Sequence, residues 1–171
     1  MKKILLLSDT HSFMDERILH YIGLADEIWH AGDFGNLEVF EALESKATLR
    51  AVYGNIDGTA IRSRCPESLS FTCEGLEVFM IHIGGYPGKY SPKARESLKE
   101  LKPKLFISGH SHILKVMHDK NLNLLHLNPG ACGRQGWHQK RTMLSFEIEK
   151  GEIQNLVVIE LGNKTEKSNE N

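Results

Sequence analysis

Lys3-Ile-Leu-Leu-Leu-Ser-Asp-Thr-His11 carries an unbroken apolar run into a carboxylate and an imidazole two residues apart. A run of this kind fits a strand buried on both faces, as in a largely parallel sheet. Within residues 15–24, Ile18, Leu19 and Ile22 recur at helical spacing after the start signal Ser12-x-x-Asp15. Glu27-Ile-Trp-His-Ala31 reads as a second strand. A helix then starts at Asn36 with Leu37, Phe40 and Leu43 on one face, and residues 49–53 form a third strand. This βαβαβ alternation predicts right-handed crossovers and a parallel sheet.

The pattern changes after Ser68. Residues 69–73 and 76–83 flank Glu74-Gly75, a two-residue hairpin turn. Pro92, Ala94, Leu98 and Leu101 predict another helix, followed by a strand at Leu105-Phe-Ile107. Residues 115–118, 124–128, 143–149 and 153–161 complete a run of strands, giving a sheet-rich α/β sandwich. Residues 1–162 are expected to form one domain, and residues 163–171, which have no apolar side chain, a loose polar tail.

Lys and Arg number 21 against 22 Asp and Glu, so no basic surplus announces generic nucleic-acid or anionic membrane binding. Cys65, Cys73 and Cys132 form no C-x-x-C pair, which argues against a disulfide framework or zinc ribbon and fits a reducing compartment. No apolar run approaches the roughly 20 residues of a membrane span, and the run after Met1-Lys2-Lys3 is short for a signal peptide. A cytoplasmic location is expected.

Five predicted strands each end in metal-competent residues: Asp9-x-His11, Gly32-Asp33, Gly54-Asn55-Ile56-Asp57, His82, and Gly109-His110-Ser111-His112. Open α/β sheets bind ligands beyond the carboxyl ends of their strands, so these clusters are expected to converge. Carboxylates, imidazoles and an amide without thiolate suit Mn²⁺ first, with Fe²⁺, Zn²⁺ and Ni²⁺ as alternatives. Seven ligands exceed the need of one ion. Two ions about 3.5–4 Å apart, sharing a carboxylate, would use them all; Asp33 is the natural bridge.

These motifs, in this order and with Asn128-Pro129-Gly130 following, resemble the calcineurin-like metallophosphoesterases, and within them the small single-domain YfcE-like phosphodiesterases. The resemblance spans about residues 1–160 and implies a four-layer α/β/β/α sandwich of two mixed sheets flanked by helices. It implies that Asp9, His11 and His112 hold one metal, that Asn55, His82 and His110 hold the other, and that Asp33 bridges. Asp33, Asn55 and His82 would thereby be catalytic through the metals. The family's usual histidine after Gly-Asn, which can protonate a leaving group, is Ile56 here, as tends to be so in the YfcE-like branch. Many relatives also read His-Gly-His where this chain has His82-Ile83-Gly84.

The implied reaction is phosphodiester hydrolysis by a hydroxide held between the ions, attacking phosphorus in line. The expected substrate is a small phosphate ester of nucleotide type, and activated diesters are favoured over alkyl esters. His138 and Arg134, with Lys140 and Arg141 nearby, are candidate phosphate contacts. Asp57 reads equally as an orienter of Asn55 or as a turn residue. His20, His30, His118 and His126 read as surface or packing residues. Trp137 and Tyr86 read as packing anchors more readily than as stacking platforms. Two rivals stay open: a phosphomonoesterase, and a non-catalytic scaffold such as the retromer subunit of this fold. Relatives form homo-oligomers, though no interface is legible in this chain.

Overall fold

The computed structural model describes residues 1–165. Its elements in chain order are β1 (Lys2–Leu7), α1 (Glu16–Ile22), β2 (Glu27–His30), α2 (Leu37–Glu44), β3 (Thr48–Ala51), α3 (Thr59–Arg62), β4 (Ser68–Cys73), β5 (Leu76–Ile81), β6 (Gly85–Tyr86), β7 (Lys89–Tyr90), α4 (Pro92–Leu101), β8 (Leu105–Ile107), β9 (Leu114–Asp119), β10 (Leu124–Pro129), β11 (Lys140–Glu149) and β12 (Glu152–Asn163). Of the expected tail, Asn163 closes β12 and the Lys164 amide donates to Gln139 O. The boundary drawn at 162 thus falls inside a strand, and residues 166–171 lie outside the described residues.

Two five-stranded mixed sheets form the frame, ordered β12-β11-β1-β2-β3 and β4-β5-β8-β10-β9. β1, β2 and β3 run parallel as predicted, and so do β5, β8 and β10. β1 shows why its sequence is continuously apolar. Ile4 and Leu6 enter the core between the sheets with Trp29, Met80, Ile107 and Phe146, whereas Leu5 and Leu7 face the core built on α1, α2 and α3. A third core packs Phe79, Ile81 and Phe106 against Ala94 and Leu98 of α4. The layers are therefore helix, sheet, sheet, helix.

Three features were not predicted. One is the short helix α3 and another the hairpin β6–β7, whose Tyr86-Pro87-Gly88-Lys89 turn puts Gly88 at φ +87°. The third is that β11 pairs antiparallel with β1, placing a C-terminal strand inside the first sheet, beside its central strand. Among the described residues no helix is long and apolar enough to cross a membrane.

Glu27 is buried in β2 yet charged, because its carboxylate accepts from Lys2 Nζ at 2.5 Å, Arg50 Nε at 2.7 Å and Trp29 Nε1 at 3.0 Å. Burial alone would raise its pKa, but Arg50, Lys2 and Trp29 together pull it down to about 2. A carboxylate depressed on folding stabilises the protein above its unfolded value, and that contribution disappears as pH falls toward 2. We expect Glu27→Gln to cost about 2 kcal/mol at neutral pH, less than the full shift would give because Lys2 and Arg50 remain partly solvated. Urea unfolding at pH 7 and at pH 3 checks this: the difference between wild type and variant should shrink at the lower pH.

Candidate metal centre

Each of the five predicted motifs leaves the carboxyl end of a strand: Asp9 and His11 after β1, Asp33 after β2, Asn55 after β3, His82 after β5, and His110 and His112 after β8. The parallel strands bring these ends to one rim. Backbone bonds stitch the loops together, from Asp9 N to Gly32 O at 3.0 Å, His11 N to Asp33 O at 3.1 Å and Gly109 N to His82 O at 3.0 Å.

Two groups of side chains result, Asp9 with His11 and His112, and Asp33 with His82 and His110. Within each, one ligand atom per residue lies within 4.8 Å of the others. The groups adjoin, since His11 Nε2 is 3.7 Å from both Asp9 Oδ1 and Asp33 Oδ2, and His82 Nε2 is 3.2 Å from Asp33 Oδ2. Asn55 is exposed in the adjacent loop, where it lines a cavity of about 510 Å³ shared with His82.

The outer atoms of these ligands are occupied and the inner ones are not. Asp9 Oδ2 accepts from Ser8 Oγ and from His110 N, and Asp33 Oδ1 accepts from Ile56 N. His82 Nδ1 donates to Ala31 O at 2.6 Å, which leaves Nε2 as a lone pair. His138 donates from Nε2 to Gly133 O at 3.0 Å, so its Nδ1 accepts from His112 Nδ1 at 3.3 Å and His112 Nε2 is likewise freed. Asp9 Oδ1, His11 Nε2 and His82 Nε2 are buried without a hydrogen-bond partner. Buried polar atoms in such a state are costly unless something else engages them, and the donor set fits divalent cations.

Electrostatics points the same way. Burial pushes the Asp9 carboxyl up, but His11, His112 and His82 beside it outweigh burial and hold it well below the usual carboxylate range. Asp33 is lowered against its burial by His82. His82 is raised despite its own burial by Asp33 and Asp9. The site holds its carboxylates ionised.

The backbone is strained here. Asp9, His11, Asp33, His110 and His112 have φ of +55°, +46°, +60°, +67° and +59°. Left-handed backbone at a non-glycine residue costs on the order of 1–3 kcal/mol and gathers at functional sites.

Two residues that sequence reasoning undervalued hold the loops. Asp57 is buried and accepts from the amides of Asp33, Gly35 and Gly54 at 3.0, 3.0 and 2.8 Å, so it orients the Asp33 and Asn55 loops together. His30, read as packing, accepts from Gly32 N and contacts Thr10 Oγ1 at 3.1 Å, linking the loops after β1 and β2. Burial lowers its pKa to about 3, so it serves as a neutral ring.

The predicted phosphate contacts fare differently. His138 stands behind His112, and Arg134 lies over the Phe13 ring. Arg141 is not a phosphate contact: it is buried and donates to Cys132 O and Asp15 Oδ2. Lys140 pairs with Glu160 instead.

Comparison with known proteins agrees with this geometry. The family model for the calcineurin-like phosphoesterase superfamily domain matches residues 1–151. A probable metallophosphoesterase of Methanothermobacter thermautotrophicus is 31% identical over 133 residues, covering 74% of each chain. Among solved structures, zinc-complexed Vps29 of Entamoeba histolytica superposes with a TM-score of 0.72 at 15% identity, covering 95% of this chain and 99% of that one. A structure described as a novel archaeal phosphodiesterase gives 0.68 at 22% identity, covering 92% and 99%. With its family model spanning most of its length and its ligand-bearing loops at one rim, the chain belongs to the calcineurin-like phosphoesterase superfamily.

Proposed function

We propose that the chain is a dimetal-dependent phosphodiesterase of the YfcE-like branch acting on small phosphate esters of nucleotide type. The observation that carries this reading is the adjoining pair of clusters whose inward atoms, Asp9 Oδ1, His11 Nε2 and His82 Nε2, are buried and unpartnered. Asp9, His11 and His112 would hold one ion, and Asn55, His82 and His110 the other, with Asp33 between them. Mn²⁺ is the first choice for this donor set. A bound metal pair supplies Lewis acidity toward phosphoryl oxygens and lowers the pKa of water.

The chain's own residues do the rest. Asp57 and His30 fix the loops, and Ala31 O and His138 set the tautomers of His82 and His112. Cavities open on both sides of the site, beside Asn55 and beside His110, giving room for the two esterified groups of a diester. Ile56 offers no proton: its side chain is exposed and only its amide is used, by Asp33. Leaving groups that depart unprotonated are therefore favoured.

The test is hydrolysis by chelator-treated protein with Mn²⁺ restored. Bis(p-nitrophenyl) phosphate should exceed p-nitrophenyl phosphate in kcat/KM by about tenfold, and neither should react without metal. A reversed preference would make the chain a monoesterase. One feature favours a second reading. Ile56, Ile83, Ile113 and Trp137 are exposed beside the ligand loops, an apolar rim suited to a scaffold protein, and Vps29 shares the fold. Tight metal binding without turnover would establish that reading instead.

A further inference from the structure

Asn128-Pro129-Gly130 supplies no member of either ligand cluster, yet it closes β10 directly below two of them. β10 lies between β8 and β9 in the second sheet, parallel to β8 and antiparallel to β9. The connection from β8 to β9 therefore arches over the carboxyl end of β10, where Leu127 is level with Ile107 and Pro129 with Leu114. That arch carries His110, which groups with Asp33 and His82, and His112, which groups with Asp9 and His11. One short loop thus serves both clusters.

The arch is held in an uncommon shape. His110 and His112, on either side of Ser111, both have left-handed backbone, a conformation that persists only where the surroundings enforce it. Asn128, which is 3% exposed, braces it from below. Its Nδ2 donates to Gly109 O at 2.9 Å and to Ser111 Oγ at 3.1 Å, and the same Oγ accepts from Ile113 N at 3.2 Å. Asn128 Oδ1 accepts from Gly130 N at 3.0 Å, closing a turn on its own backbone that aims both Nδ2 protons at the arch. Thr142 Oγ1 fixes that turn in place by donating to Pro129 O at 2.7 Å. Two donors and one acceptor on a short side chain are what an amide offers; an ionised carboxylate has no donor and a hydroxyl has one.

We propose that Asn128 is a positioning residue for both metal ions, acting through the arch that presents His110 to one and His112 to the other. The proposal rests on the metal-pair part of the function proposed above. Groups that orient metal ligands contribute to affinity although they never touch the ion. Here one side chain stands behind a ligand of each cluster, so loosening the arch weakens both ions together. The other supports described above lack this reach: Asp57 and His30 hold the loops after β1, β2 and β3, and Ala31 O and His138 each serve one ring.

The experiment titrates Co²⁺ into the chelator-stripped full chain and follows its visible absorption, alongside the Tm of the metal-free protein. Co²⁺ suits the same imidazole and carboxylate donors, and the wild type should bind two ions. Asn128→Leu, close in size but without donors, should lower the affinity for both by about 10- to 100-fold and alter the absorption of bound Co²⁺. Ser111→Ala removes only one of the two arch bonds and should cause a smaller loss, again at both ions; it carries the test if Asn128→Leu does not fold. Thr142→Val separates positioning from general support, because it deletes a buried bond at the same turn: it should lower the Tm of the metal-free protein and leave both affinities unchanged. Unchanged affinities in the Asn128 and Ser111 variants would overturn the proposal. A loss confined to one ion, an equal loss in Thr142→Val, or a wild type that binds a single ion would do the same. Turnover is not read, so the two readings fail separately. Two ions weakened together in a chain that hydrolyses no diester refute only the phosphodiesterase. Diester hydrolysis with metal affinity indifferent to Asn128 and Ser111 refutes only the positioning role.

Discussion

Asp33→Asn should abolish phosphodiester hydrolysis, by about 10³-fold or more, and reduce the metal content of the purified protein. Asp33 Oδ2 lies near ligands of both clusters, 3.7 Å from His11 Nε2 and 3.2 Å from His82 Nε2, whereas Asp9 Oδ1 comes no nearer than 4.0 Å to His82 Nε2. The amide is nearly the same size and keeps the Oδ1 that accepts from Ile56 N, so the loop should survive. What is lost is negative charge between two sites that would each take a divalent cation, and a neutral amide is the poorer ligand for both. A factor of 10³ corresponds to about 4 kcal/mol of transition-state stabilisation, a reasonable share for one bridging ligand. Metal analysis together with hydrolysis of bis(p-nitrophenyl) phosphate checks it. Unchanged circular dichroism would show that the loss is not one of fold.

Gly54→Ala should be damaging in a different way, through space rather than charge. A Cβ at position 54 would lie 2.0 Å from Asp33 Oδ1 and 2.4 Å from Asp33 N. Neither atom can yield cheaply, because Asp33 N and Gly54 N both donate to Asp57 Oδ2. Relief requires separating the loops after β2 and β3, which would carry Asp33 and Asn55 apart. The expected cost is about 2–4 kcal/mol of stability, with metal affinity falling at least tenfold. Gly58→Ala is the control, since a Cβ there meets nothing within 4 Å; its effect should stay under about 1 kcal/mol. Thermal unfolding with and without Mn²⁺ distinguishes the two: the metal-induced rise in Tm should persist in the Gly58 variant and shrink in the Gly54 variant.

The two glycines look alike in the sequence, and the reason they differ marks the limit of what a linear reading reaches. Apolar runs and helical spacing sufficed for the strands from β1 to β3 and for α1, α2 and α4, because burial on one or both faces imposes a period that survives in the string. The Asp and His side chains of the two candidate clusters were legible too, since metal-competent residues at the ends of predicted strands have few other reasons to recur. Contacts between distant segments were not. The pairing of β1 with β11 joins residues some 140 positions apart, as Leu6 with Leu144, and no local pattern encodes it. Asp57 looked as much like a turn residue as an orienter because its work is done on the amides of Asp33 and Gly35, more than 20 positions away. The charge of Arg141 suggested phosphate, yet its burial against Asp15 and Cys132 O makes it a strut for the loop before α1. Charge type is visible in a sequence, whereas exposure, which decides its use, is not.

The left-handed backbone at five ligand positions could not be read either, although Asp and His tolerate it better than most residues. It means that the rim is paid for by the two sheets beneath it, whose interior positions are almost uniformly buried.

The central claim is that the two clusters act as a pair. Its most direct test is to titrate Mn²⁺ into chelator-stripped protein while recording bound metal and the initial rate on bis(p-nitrophenyl) phosphate. The account predicts two ions bound per chain, with turnover rising as the second site fills. Saturation of the rate at a single equivalent, or two ions bound with no turnover, would contradict it.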